Sequence, residues 1–514
     1  MSTEKLETSD DLQPVTSFTK ENIGEDNVIT TFTSGDGKVH EVTGDVDEAM
    51  ALALDNEGVV LDAETDRKLV RKIDFAILPL LGLLYATQYM DKTTLSYAAV
   101  MGLRTDFNIV TGMGYSWLGT VFYFGYLVFE FPASALLQRL PLSKTTAGFI
   151  VLWGVILCLH AAPKSYAGLV VLRVLLGVLE SAVTPAMMLI TSQWYKKEEQ
   201  FFRTSIWFAC NGLGTILGGG IAYGIANNQE HFAITAWKGL FIITGVMSII
   251  IPSKAWFLTE HEKRLVVERI RKNQQGFGNK HFKMYQFKEA LLDINTWLYF
   301  FFAIASNIPN GALTNFGAIL LNSDFGYDAK MSLIMNMPFG AVELVGCMLL
   351  GFCNTFIPHR MFICLVSMLL TLMCSCLLAF AGPKEARLAG YYLMPIYATT
   401  MICALSCFAS NTAGYTKKVT TNALYLIAYC VGNIVGPQTF IAKQAPSYTG
   451  GKISFVVCDC VTVLLIIAIY ASYYFSNKKK DAEEAKGTGN LKEIENFEFA
   501  DLTDRENPYF RYSL

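Results

Sequence analysis

The sequence predicts an all-α membrane protein with twelve transmembrane helices in two pseudo-symmetric six-helix halves. Three observations lead there. Of 514 residues, 52% are hydrophobic and only 17% charged, with a mean hydropathy of +0.35; soluble domains carry about 25% charged residues. Twelve apolar runs approach the roughly 20 residues that a spanning helix needs. One long charged stretch separates six of these runs from the other six. The composition excludes an ordinary soluble enzyme, a disordered chain and a disulfide framework. The twelve Cys lie in or beside apolar runs, where free Cys behaves as a small buried hydrophobe.

Residues 1–66 hold 17 acidic and 3 basic residues and are rich in Ser and Thr. They read as a disordered acidic cytosolic tail. Arg67-Lys68-Leu69-Val70-Arg71-Lys72 then opens the N-terminal six-helix half, residues 67–257. Its candidate spans are 74–94, 115–137, 144–162, 166–193, 203–226 and 237–256. The first run begins too late for a cleaved signal peptide. The sixth is weak, because Gly239 to Ile251 supplies 13 good residues before Pro252-Ser253-Lys254. At 1.5 Å per residue that covers about 20 Å of a roughly 30 Å hydrocarbon core. A charged cytosolic loop, 258–291, follows; Thr259–Asn273 reads equally as a surface amphipathic helix or a solvated linker. The C-terminal half, 292–477, carries candidate spans 292–313, 330–352, 358–381, 388–411, 419–441 and 455–476. Residues 478–514 form a second cytosolic tail with 9 acidic and 7 basic residues.

The net charge of −3 hides this layout, because the body between the tails holds 18 acidic and 31 basic residues. The basic excess sits between apolar runs, which argues against a nucleic-acid partner. With the N-terminus in the cytosol, the inner segments hold 24 Lys and Arg and the outer ones 9. That bias places both termini inside.

An ionisable residue within a span costs at least about 2.5–3.5 kcal/mol at the bilayer centre, so each needs a reason. Arg173 and Glu180 in the fourth span are seven apart and share a helix face. A guanidinium grips a carboxylate through two hydrogen bonds. Desolvation penalises a carboxylate, so a Glu at this depth is able to take up and release a proton. The pair suggests a minimal anion-plus-proton site, or else a structural brace. Asp91 and Lys92 end the first span, with Lys92 as a second attraction for an anion or as half of a rim pair. Glu130 precedes Pro132 in the second span, and Glu343 lies among small residues in the eighth. Both, with Asp91, are proton-coupling candidates. Asp459 reads as structural or interfacial, and His160 as a rim residue. In the seventh span, Ser306-Asn307-Ile308-Pro309-Asn310-Gly311 interrupts the helix. Broken helices are tolerated where they line a cavity, so Asn307 and Asn310 are substrate candidates. Asn411, Asn422, Asn433 and Gln438 are weaker ones. There is no enzyme-like constellation, no metal-ligand spacing and no phosphate-cradling Gly-x-x-x-x-Gly-Lys loop.

At these motifs the sequence resembles the anion:cation symporter family of the major facilitator superfamily, in its fungal allantoate permease branch. The resemblance runs from about residue 60 to the C-terminus. It is carried by Tyr89-Met90-Asp91-Lys92, Phe122 to Tyr126, Arg173 to Gly177, Ser306 to Gly311, Ala341 to Cys347, Gly436 to Pro446 and the tail Asp501-Leu502-Thr503-Asp504. It implies proton-coupled import of a small organic anion across the plasma membrane, with no cofactor and the proton gradient as energy source. Allantoate, a related ureido-carboxylate or a small peptide is the expected substrate. Related permeases take nicotinate, pantothenate or biotin, and a non-transporting nutrient sensor is a further alternative. The family's substrate-binding Arg falls on Arg173, its proton-coupling acid on Glu180, and the basic residue after its first span on Lys92. A histidine of animal members falls on Gly119. The tails offer Ser, Thr, Lys5, Lys20 and Lys38 to phosphorylation or ubiquitin machinery.

Overall fold

A computed structural model describes residues 17–23, 27–33, 39–43, 63–231, 233–250, 283–353, 359–485, 503–506 and 510–513. Each of the twelve candidate ranges holds a helix. In the N-terminal half these are α1 (Ala63–Ala98), α2 (Gly114–Arg139), α3 (Leu142–Leu159), α4 (Tyr166–Glu180) with α5 (Val183–Trp194), α6 (Lys197–Asn227) and α7 (Ala236–Ile250). The second half begins with α8 (Met284–Leu292), bent by 62° against α9 (Ile294–Ser323). It continues with α10 (Ala329–Ile334), α11 (Met337–Cys353), α12 (Arg360–Phe380), α13 (Lys384–Leu393), α14 (Tyr397–Asn411), α15 (Tyr415–Gln438) and α16 (Thr449–Ala485). Among the described residues, nine helical runs are long and apolar enough to cross a membrane, or ten with the bent pair. α7 is described as far as Ile250, and the residues after it, on which the weak sixth span turns, lie outside the described residues. So do the surface helix expected over Thr259–Asn273 and most of the charged loop.

Within the tail read as disordered, β1 (Ser17–Ile23), β2 (Asn27–Thr33) and β3 (Val39–Thr43) form an antiparallel meander in that order. Phe18 is paired with Phe32, and Ile29 with Thr43. β2 is a run of Val, Ile, Thr and Phe, the β-branched and aromatic types that fit a pleated surface. The acidic composition masks this local preference.

The halves meet along three helix pairs: α1 with α9, α2 with α15 and α6 with α11. The last pair is the tightest, because small residues let the backbones touch. A Cβ at Gly212 would sit 2.1 Å from the carbonyl oxygen of Gly340. Overpacking of this kind costs about 1–3 kcal/mol, so Gly212→Leu is expected to lower the thermal unfolding midpoint of the purified protein by several degrees. An unchanged midpoint would show that the halves part freely here.

At the face away from the described chain ends, hydrogen bonds cross between the halves. Tyr115 donates to the carbonyl of Asn315 at 2.6 Å, and the Ala318 amide donates to Ser96 at 3.1 Å. Gln438 donates to Thr120 at 2.8 Å, and Asn336 to Tyr97 at 3.0 Å. The transport-relevant consequence is geometric: this face is closed in the structure.

Candidate functional site

The fourth span is two helices, and the break falls directly after Glu180. α4 ends at Glu180, and α5 starts at Val183 with Pro185 in its first turn. α4 packs flush on α2, since a Cβ at Gly177 would lie 2.0 Å from the carbonyl of Phe122. This close approach holds Glu180 and Arg173 against the first and second spans.

The structure brings Glu180 to Lys92 of α1, with Nζ 3.0 Å from Oε1 and the carboxylate fully buried. Lys92 is therefore no rim residue. Its ammonium lies 5.9 Å from the centre of the Tyr126 ring. Tyr429 of α15 closes the cage, with its ring 6.3 Å from Tyr123 and 6.5 Å from Tyr126. These three tyrosines are functional candidates that sequence reasoning missed. The Tyr123-x-x-Tyr126 spacing is the signal, as it sets both rings on one helix face.

Arg173 does not take Glu180 as its partner. Seven residues of helix separate them by about 10 Å along the axis. Its guanidinium stacks on Phe241 at 5.6 Å and is 2% exposed, and its Nε and Nη2 are buried without a hydrogen-bond acceptor. His160, which caps the end of α3, is fully buried, and its ring stacks on Phe241 at 5.1 Å while its Nδ1 meets the Ile156 carbonyl at 2.9 Å. Asp91 exerts the strongest carboxylate attraction on Arg173. Asp91 itself is fully buried, and Trp153 donates to its Oδ2 at 2.6 Å while Oδ1 is unpartnered. A buried polar atom without a partner costs about 1–3 kcal/mol, more when charged. The orphaned nitrogens of Arg173 thus form a site suited to an anion.

Glu130 lies one turn beyond Tyr126 on the same face of α2 and is buried, with Oε1 unpartnered. Glu343 of α11 is buried against Asn211 of α6, at the junction of the halves, with Oε2 unpartnered. The four carboxyls are thus not one cluster. Asp91 and Glu180 share the neighbourhood of the two cations, Glu130 sits one turn away, and Glu343 lies at a different helix pair.

Asn307 and Asn310 have protein partners. Asn310 donates to Asn433 at 3.1 Å and accepts from Tyr397, while Asn433 donates to Asn307 at 3.3 Å. This network ties α9, α14 and α15 together. Asn310→Ala leaves Tyr397 and Asn433 short of partners, so it is expected to cost about 1–3 kcal/mol of stability. A thermal unfolding scan checks this, and an unchanged midpoint would free Asn310 for a ligand. Asp459 accepts from Ser375 and lines a small internal cavity with Ser306, Thr371 and Tyr397. Among the described residues, no group of His, Cys, Asp and Glu is arranged to hold a metal ion.

The comparisons with known proteins agree with this architecture. The Major Facilitator Superfamily model matches residues 81–437. The allantoate permease of Saccharomyces cerevisiae is 48% identical, over 96% of this chain and 95% of its own length. An uncharacterized transporter of Schizosaccharomyces pombe is also 48% identical, over 91% of this chain and 94% of its own. In fold, the chain is similar to the xylose transporter XylE from E. coli in a partially occluded inward-open conformation, with a TM-score of 0.58 and 15% identity, over 77% of this chain and 97% of that one. Nearly half of its residues are shared, over almost its full length, with fungal transporters; the chain is a multi-pass membrane transporter, not an enzyme, and belongs to the major facilitator superfamily.

Proposed function

We propose that the protein is a proton-coupled importer of a small organic anion at the plasma membrane, with both termini in the cytosol. Allantoate or a related ureido-carboxylate or small peptide is the substrate, in keeping with the allantoate permease relative. One observation carries the reading: Arg173 is a buried, permanently charged fork with two nitrogens that lack an acceptor. A carboxylate satisfies such a fork through two parallel hydrogen bonds.

The Lys92–Glu180 pair, 3.0 Å apart, supplies the coupling. With Glu180 ionised, Lys92 is already neutralised. When Glu180 takes a proton, Lys92 loses its counter-charge, and the substrate carboxylate replaces it. Proton and anion then favour one another's binding reciprocally. The loaded site carries little net charge, which lowers the cost of closing the two halves around it. No cofactor enters, and the proton gradient drives the cycle. The excess of Lys and Arg in the presumptive inner segments supports the orientation.

The test is uptake of labelled allantoate into proteoliposomes under an imposed pH gradient, with competing carboxylates and an uncoupler. Accumulation that collapses with the uncoupler is expected. Uptake indifferent to the gradient would refute coupling. Stronger competition by nicotinate, pantothenate or biotin than by allantoate would reassign the substrate.

A further inference from the structure

Residues 503–506 and 510–513 pack against the C-terminal half. Asp504 is 2% exposed, and its Oδ1 lies 2.7 Å from the Nζ of Lys417, itself 1% exposed at the start of α15. Lys417 also meets Asp293 at 2.8 Å and Glu289 at 2.9 Å. Arg505 returns the charge by pairing with Asp293 at 3.0 Å. At this cluster the segment thus adds one anion, Asp504, and one cation, Arg505, so docking leaves the local charge balance unchanged.

The backbone of the segment is read as closely as its side chains. Asn477 of α16 accepts from the Tyr512 amide at 2.8 Å and donates to the Tyr512 carbonyl at 2.9 Å. Asn411, at the end of α14, does the same for Ser513, at 2.7 and 2.8 Å. The Tyr512 ring stacks on Tyr473 at 5.0 Å, and its hydroxyl donates to Asp504 at 2.7 Å. Thr503 and Glu506 exchange reciprocal bonds at 2.9 and 3.2 Å, which folds the segment into a turn. Two Asn side chains that each pair with both backbone groups of one residue form a peptide-binding groove, not an incidental contact.

We propose that the ends of α9, α14, α15 and α16 form a groove for an aromatic peptide of mixed charge, and that residues 503–506 and 510–513 occupy it as a permanent clasp of the C-terminal half. Every receptor residue named belongs to the C-terminal half or to α8 at its entry. The clasp therefore travels with that half and is not a gate between the halves. It ties the starts of the seventh and eleventh spans to the ends of the tenth and twelfth.

Truncation before Thr503 is expected to lower the unfolding midpoint of the purified protein by about 5 °C or more. A synthetic peptide of residues 503–514 restores the midpoint, and the same peptide with Asp504→Ala does not. In the full chain, Asn477→Cys with Tyr512→Cys is expected to cross-link on oxidation and to transport as well oxidised as reduced. An unchanged midpoint on truncation, or failure of the wild-type peptide to restore it, overturns the groove. Loss of transport on cross-linking overturns the permanent clasp in favour of a gate. Where truncated protein cannot be obtained, full-length Asp504→Asn carries the same expected fall in midpoint, and an unchanged midpoint there overturns the proposal. The midpoint and the cross-link do not depend on the substrate, so their failure is separable from failure of the transport reading.

Discussion

Arg173→Ala brings uptake of labelled allantoate to background while the protein reaches the membrane in normal amount. Truncating one partner of a buried, hydrogen-bonded charge pair costs about 2–5 kcal/mol, a factor of roughly thirty to several thousand in affinity. Arg173→Lys keeps the charge but loses the planar fork, and an ammonium cannot reproduce a two-point grip. It is expected to raise KM by about tenfold to a hundredfold, on the scale of one to two lost charged hydrogen bonds. Stability should behave differently from uptake. Two of the guanidinium nitrogens have no protein acceptor to lose, so Arg173→Met, which gives up the Phe241 stack and the nearby Asp91 charge, lowers the unfolding midpoint less than Glu180→Gln does. A large fall in both quantities would recast Arg173 as a structural brace. Initial uptake rates, normalised to surface protein, and a thermal scan of the same variants decide this.

Glu180→Gln has the opposite profile on stability. It leaves the Lys92 ammonium buried beside an amide, and breaking a buried ion pair at one end costs about 3–5 kcal/mol. Adding Lys92→Met removes the stranded charge, so the double variant should recover most of that loss. Transport separates the roles further. With Glu180→Gln, accumulation driven by a pH gradient is expected to vanish, because the residue can no longer exchange a proton. Substrate-for-substrate counterflow should persist, since Arg173 and Lys92 still attract the carboxylate. The double variant is expected to lose both. Counterflow and gradient-driven uptake in proteoliposomes distinguish these cases, and intact gradient-driven uptake in Glu180→Gln would remove Glu180 from coupling.

The helices were legible because hydrophobic runs of spanning length leave few alternatives, and every candidate range holds a helix. The partners were not. Arg173 and Glu180 share a helix face at a spacing of seven, which suggested one site. That spacing also separates them by about 10 Å, and the cation that reaches Glu180 comes from α1. Which residue of one span lies level with which residue of another depends on helix tilt and on close approaches such as that of Gly177 to Phe122. A one-dimensional pattern carries neither. The docked end of the chain has too few apolar residues to announce itself, and its burial rests on Asp504, Tyr512 and paired backbone groups. The meander over residues 17–43 was hidden by acidic composition, although Thr, Val and Ile in β2 favour strand.

Binding of substrate to the purified protein tests most directly whether Arg173 is the anion site. Titrating allantoate into detergent-solubilised wild type should raise its unfolding midpoint with concentration, by the mass-action stabilisation expected of a ligand that binds only the native state. The same titration of Arg173→Met, read against that variant's own ligand-free midpoint, should produce no shift. An equal shift in Arg173→Met would contradict the assignment and move the anion site elsewhere in the bundle.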